Sequence, residues 1–220
     1  GNILLSVIGL FVQACSYIGH IAMFFSLIAI GFIGAVTRMG QGPREFGMLM
    51  GGLGLIAAIP LGLAILVGYV LCVFVPSNTG ARTSIVVALA LSVLMFLFSI
   101  LEAVGTAFDS PGTVIVIAGI RLAMWMAQIV FFCLFMKAAA TWVRRDDLAQ
   151  SANIVMYGLT IGPFLIVVGA FLAGLLGQSV APAAGMAMFI GVAVVSLGVL
   201  VVWVMQLFLM FRLGTAMKNY

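Results

Sequence analysis

Six apolar runs, at about residues 3–36, 46–75, 84–108, 113–143, 149–177 and 185–211, fill this chain and leave only short links between them. Each run meets or exceeds the roughly 20 residues that an α-helix needs to cross a hydrocarbon layer. Outside the runs too little chain remains for a separate soluble domain. Only 14 side chains are charged, nine Lys or Arg and five Asp or Glu, which is too few to coat a surface facing water. A soluble enzyme, a nucleic-acid binder and a disordered chain are excluded together. The expected fold is therefore an all-α integral membrane protein. It is one transmembrane domain over residues 1–220, a six-transmembrane-helix antiparallel bundle embedded in a lipid bilayer.

The links carry turn chemistry: Arg38 to Glu45 around Gly40, Gly42 and Pro43, Pro76 to Gly80, Asp109 to Gly112, Arg144 to Asp147, and Gln178 to Gly185 around Pro182. Such short links make sequential helices antiparallel neighbours. Pro60 and Pro163 fall inside runs and are expected kink points, because each removes a backbone hydrogen bond. With six spans, Arg82, Lys137, Arg144, Arg145, Arg212 and Lys218 share one side, and only Arg38 and Arg44 lie on the other. That bias makes the first side cytoplasmic, with both termini inside. An odd span count, with the first helix reversed or lying along the surface, is the alternative. Asp147, with Gln150 three residues on, reads as a capping-box start for the fifth span. The chain opens on Gly1-Asn2-Ile3 with neither an initiator Met nor a basic leader, so it is expected to begin partway into a longer product.

Polar side chains in hydrocarbon turn toward protein or a wet cavity, so their helical phase marks the inner face. Span 1 places Ser6, Gln13, Tyr17 and His20 in one stripe, and span 3 does so with Ser92, Ser99, Glu102, Thr106 and Asp109. Span 4 adds Arg121, Trp125 and Gln128, span 5 adds Asn153, Tyr157 and Thr160, and span 6 adds Ser196, Trp203 and Gln206. From these, Gln13, Tyr17, His20, Trp125, Gln128, Tyr157, Trp203 and Gln206 are candidates for a polar cavity, with core packing as the plainer reading. Span 2 instead carries a ridge of small residues, Gly47, Gly51, Gly54, Ala58 and Gly62, and span 5 carries Gly158 and Gly162. Both patterns suit close helix packing.

Glu102 and Arg121 lie roughly 9 to 12 Å below the outer surface on adjacent antiparallel spans. They are expected to form an intramembrane charge pair, since an unpaired charge there costs several kcal/mol, or about that order. The pair is either a clasp between spans 3 and 4 or a gate for a transported ion. His20 is the single histidine, so a haem held by two histidines and a His-rich metal site are excluded within this chain. Cys15, Cys72 and Cys133 are far apart and form neither a disulfide framework nor a zinc site. The 14 Met residues read as adaptable packing. There is no Gly-x-Ser-x-Gly, no His-Glu-x-x-His and no phosphate loop. No enzyme activity, cofactor or metal is expected.

Two segments, Gly68-Tyr69-Val70-Leu71-Cys72-Val73-Phe74-Val75-Pro76-Ser77-Asn78-Thr79-Gly80-Ala81-Arg82 and Phe135-Met136-Lys137 through Arg144-Arg145-Asp146-Asp147-Leu148-Ala149-Gln150-Ser151-Ala152, together about a quarter of the chain, resemble uncharacterised multi-span membrane proteins of planctomycete-type bacteria. The resemblance implies a bacterial cytoplasmic (inner) membrane location and implies no chemistry. Proteins of that kind often carry a zinc-ribbon segment ahead of the spans, and this chain has no cysteines of that spacing.

Three functions follow in order of preference. The first is a non-catalytic integral membrane subunit or anchor that packs with partner proteins, other membrane subunits or copies of itself. The second is a small-solute or ion transporter or channel built on the Glu102 and Arg121 pair. The third is an accessory subunit of a membrane redox complex.

Overall fold

The computed structural model describes residues 2–37, 60–104, 111–179 and 182–220. Their regular structure is all helical, with no strand among them. The helices are α1 (Ile3–Thr37), α2 (Pro60–Cys72), α3 (Arg82–Val104), α4 (Pro111–Trp142), α5 (Asp146–Ser179) and α6 (Pro182–Lys218). Two described stretches, Gly119–Trp142 and Ile190–Lys218, are long and apolar enough to cross a membrane, and shorter apolar stretches are Ile3–Gly19, Pro60–Cys72 and Arg82–Phe98. Pro163 lies within α5. Pro60 is the first described residue of its helix, and any bend before it lies outside the described residues.

Local sequence explains where the helices begin and end. The side chain of Asn2 accepts from the Leu4 amide at 3.1 Å and the Leu5 amide at 3.4 Å, which caps the otherwise unpaired first turn of α1. The link from α2 to α3 closes through a short 3₁₀ turn, Ser77–Thr79. There the Thr79 hydroxyl donates to the Pro76 carbonyl at 2.8 Å and accepts from the Ala81 amide at 3.1 Å. Gly80 follows with φ 68°, a left-handed conformation that glycine adopts without steric cost. At the end of α4 the Arg144 amide bonds the Thr141 carbonyl at 3.0 Å and the Arg145 amide reaches back to Ala140 at 2.9 Å. This is a Schellman cap. Arg144 occupies its left-handed position at φ 56°, where glycine is the usual residue.

Asp147 does not act as the helix cap. Helix α5 starts one residue earlier, at Asp146, and Arg145 binds the Asp147 carboxylate with two parallel bonds of 2.9 Å. A bidentate guanidinium is a stronger partner for a carboxylate than a single backbone amide. Arg212 of α6 joins the same carboxylate at 3.0 Å.

The packing order is antiparallel. Along α1, Ser6, Gln13 and Gly19 meet Cys72, Ile65 and Leu61 in turn, so α1 and α2 run in opposite directions. Phe11 stacks near Phe211 and Tyr17 near Trp203, which sets α1 antiparallel to α6. Gly158, Gly162 and Gly169 of α5 lie against Val202, Val199 and Val192 of α6. The pairs α3 with α4 and α4 with α5 complete the bundle. Gly47, Gly51, Gly54 and Ala58 lie outside the described residues, and Gly62 faces Phe96 of α3 at the limit of contact.

One end of the bundle gathers four chain segments. Ser6 lies beside Cys72, the 3₁₀ turn packs on α4, Trp142 meets Tyr220 with tilted rings centred 4.7 Å apart, and Asp147 holds Arg212. The N-terminus, the second link, the fourth link and the C-terminus are therefore together. The Arg145 hydrogen bonds, aided by the Leu148 amide and the Arg212 charge, bring the Asp147 carboxyl down to about 2 from 3.8. Because the folded value is the lower one, this tether is fully present above about pH 4 and is lost as pH falls toward 2. We expect hydrogen exchange at residues 213–220 to accelerate over that interval. Asp147→Asn should abolish the pH dependence there.

Candidate functional site

The core around the crossing of α1, α2, α4 and α6 is apolar with one polar belt through it. Gln128 of α4 donates its side-chain amide to the Ser92 hydroxyl of α3 at 2.7 Å and to the Tyr69 hydroxyl of α2 at 3.1 Å. Tyr69 in turn interacts with Tyr17 of α1, and Tyr17 with Gln206 of α6. One connected set of neutral side chains thus joins five helices. Gln13, one turn before Tyr17, donates to the Ile65 carbonyl of α2 at 2.7 Å. Interhelical bonds of this kind are favoured where hydrocarbon offers no water as a substitute.

Aromatic rings frame the belt. Tyr69 meets Phe132 edge to face with ring centres 5.2 Å apart, and Phe132 stacks on Phe135 at 5.9 Å. Trp203 presents an edge to Tyr17 at 6.4 Å, and both Trp203 and Trp125 pack against the buried core. These contacts fix the tyrosine rings, and hence the positions of their hydroxyls.

The belt retains capacity to bind. Gln13 is 0% exposed and Gln206 2% exposed. Among the described residues the Gln13 carbonyl oxygen, the Gln206 amide nitrogen and the Ser6 hydroxyl have no hydrogen-bond partner. A buried polar group without a partner carries a desolvation cost of about 1–3 kcal/mol, so these atoms are suited to an acceptor and donor pair on a small neutral molecule or on water. Among the described residues the belt holds amides, hydroxyls and an indole, which can orient a neutral polar group. Among the described residues no cluster of His, Cys, Asp or Glu could hold a metal ion.

Of the eight cavity candidates, the structure brings Gln13, Tyr17, Gln128, Trp203 and Gln206 together. Trp125 lies one turn from Gln128 on α4, in the shell around the belt. Tyr157 is 61% exposed on the outer face of α5 and does not line the core; its ring lies outward, as an amphipathic aromatic can where one end is apolar and the other wet. The His20 and Glu102 side chains, together with Ser99, Thr106 and Asp109, lie outside the described residues. Arg121 is half-buried on α4, two turns before Gln128. Tyr69 joins the belt although the sequence reading gave its span only to packing; the signal for it was a hydroxyl within an otherwise apolar run.

The glycines of this region set the spacing of the belt. A β-carbon at Gly9 would lie 2.8 Å from both the Gly68 carbonyl oxygen and the Cys72 amide nitrogen, and one at Gly68 would lie 2.8 Å from Gln13. Helices α1 and α2 therefore cross backbone to backbone at the level of Gln13. Gly158 is similarly tight, with Val202 at 2.7 Å.

The chain matches no known protein family, no curated protein and no solved structure.

Proposed function

We propose that this chain is a six-span, multi-pass membrane protein with both termini cytoplasmic, serving as a non-catalytic subunit or anchor that packs with partner proteins. The observation that carries the reading is the outer face of α6. Ile190, Val194, Leu197, Val201 and Phe208 are 58%, 62%, 64%, 59% and 65% exposed, at steps of three, four and seven residues, while Gln206 on the same helix is buried. Their span of 18 steps is roughly 27 Å as helix, close to the roughly 30 Å of a hydrocarbon core. An apolar outside around an interior crossed by a belt of paired polar side chains is an arrangement that lipid favours and water does not. The grouping of four chain segments at one end supports the topology, since those segments hold Arg82, Lys137, Arg144, Arg145, Arg212 and Lys218. The resemblance to bacterial multi-span proteins supports the cytoplasmic membrane as the location.

The anchor role is favoured by a belt whose side chains mostly bind one another across helices. The three unpartnered buried atoms favour a second reading, a pathway for a small neutral solute. Purification in mild detergent with mass spectrometry should show a stoichiometric partner or a homo-oligomer. Solute flux in liposomes, halved or more by Gln13→Leu or Gln206→Leu, would overturn the anchor in favour of transport.

Topology is open to a direct check. In a variant freed of Cys15, Cys72 and Cys133, single cysteines at Asn2, Ser77, Asp146 and Asn219 should all label from the cytoplasmic side and none from outside. Labelling of any one of the four from the opposite side breaks the six-span arrangement.

A further inference from the structure

The geometry points to a binding site for one anionic phospholipid on the flank of α6, at the end of the bundle where the termini meet. The inference rests on the membrane reading above and goes beyond it. Two grooves adjoin there, of about 340 and 140 Å³, and Arg212 lines both. The larger is lined also by Arg145, Thr215 and Asn219, with Phe211 and Ala216; the smaller by Leu148, Met205, Phe208 and Leu209, with Ser151. From Met205 to Thr215 is 10 steps of α6, roughly 15 Å, along which hydrogen-bonding side chains join an apolar lining. A lipid has the same order of parts: acyl chains, then glycerol, then phosphate.

Charge decides in favour of an anionic head. Two guanidiniums meet here with the single carboxylate of Asp147, leaving an excess of one positive charge. Asp147 engages Arg145 through both Nε and Nη2 but takes only Nη2 of Arg212. Nε and Nη1 of Arg212 make no hydrogen bond to that carboxylate, and the residue lines both grooves. A phosphodiester fits this fork. Below it Phe208 and Met205, both exposed, continue the lipid-facing stripe of α6. A protein partner placed here would have to bury the remaining charge of Arg212, which a phosphate at the interface does not require.

The test uses the full chain in detergent and native mass spectrometry with phosphatidylglycerol or phosphatidylcholine added. Phosphatidylglycerol should be retained about fivefold more than phosphatidylcholine, a factor expected for one basic side chain at an anionic surface. Arg212→Gln should remove that preference and Arg212→Lys should restore part of it. Arg82→Gln, a basic site on another helix, should leave it unchanged. Equal retention of the two lipids, an unaltered preference in Arg212→Gln, displacement by millimolar inorganic phosphate, or loss of a dimer in place of loss of lipid would each overturn the proposal. Alkaline extraction separates the two levels of the argument. A chain released from membranes by alkali ends the membrane reading and this site with it, whereas a retained chain without lipid preference ends this site alone.

Discussion

Gly9→Ala should cost about 1–3 kcal/mol of stability in detergent, the range for overpacking a close contact, although it adds one methyl group and is favourable for helix formation. The new β-carbon would meet the Gly68 carbonyl and the Cys72 amide at 2.8 Å. Both are backbone atoms, so no rotamer change relieves the clash and the two helices must separate. Gly19→Ala is the contrasting case: its neighbour is the Leu61 side-chain tip at 2.5 Å, which can swing aside, and a smaller loss is expected. Gly119→Ala and Gly191→Ala, with nothing within 4 Å of either added carbon, should be neutral or gain up to about 1 kcal/mol from helix propensity. Thermal unfolding of the four variants checks the order, and an unchanged midpoint for Gly9→Ala would mean that α1 and α2 do not cross there.

Gln128→Leu should be comparably damaging, at about 1–3 kcal/mol, because one amide group serves two hydroxyls across two helix boundaries. Ser92 keeps its own bond to the Ala88 carbonyl at 2.9 Å, so the loss falls mainly on Tyr69. Tyr69→Phe should then cost less in the Gln128→Leu background than in the wild type, by at least about 0.5 kcal/mol. Additive losses would show that the two side chains act separately.

The helices were largely legible in the sequence because hydrophobic runs and turn residues act locally. The described bounds of α1, α4 and α5 fall within three residues of the runs that signalled them. Helix α6 continues seven residues past its run, to Lys218, since Leu213 and Met217 bury on one face while Arg212, Thr215 and Lys218 lie outside. An amphipathic final turn is hidden from a search for uniform apolarity. The inner face was legible where the polar group is an amide, as at Gln13, Gln128 and Gln206, all of which are buried. It was misleading at Tyr157, whose ring tolerates the outer face.

The close crossing of α1 and α2 was not legible. It depends on Gly9 and Gly68, which lie on different helices, and spacing within one helix carries no information about such a meeting. The spaced glycines of α5 were visible because Gly158 and Gly162 repeat on a single helix. Asp147 was misassigned because Arg145, two residues before it, takes the carboxylate with two bonds, and Arg212, 65 residues away, adds a third.

Helix α1 is made before the other five helices, yet one of its two flanks is closed by α6, the last of the six. Until then Tyr17 has no Gln206 or Trp203 beside it, whereas Gln13 can reach Ile65 as soon as α2 follows. The order of translation thus leaves a half-finished interior open on the α6 side while four more helices are made. A chaperone would have that interval in which to engage α1, and a chain cut between α5 and α6 is the natural form in which to trap it.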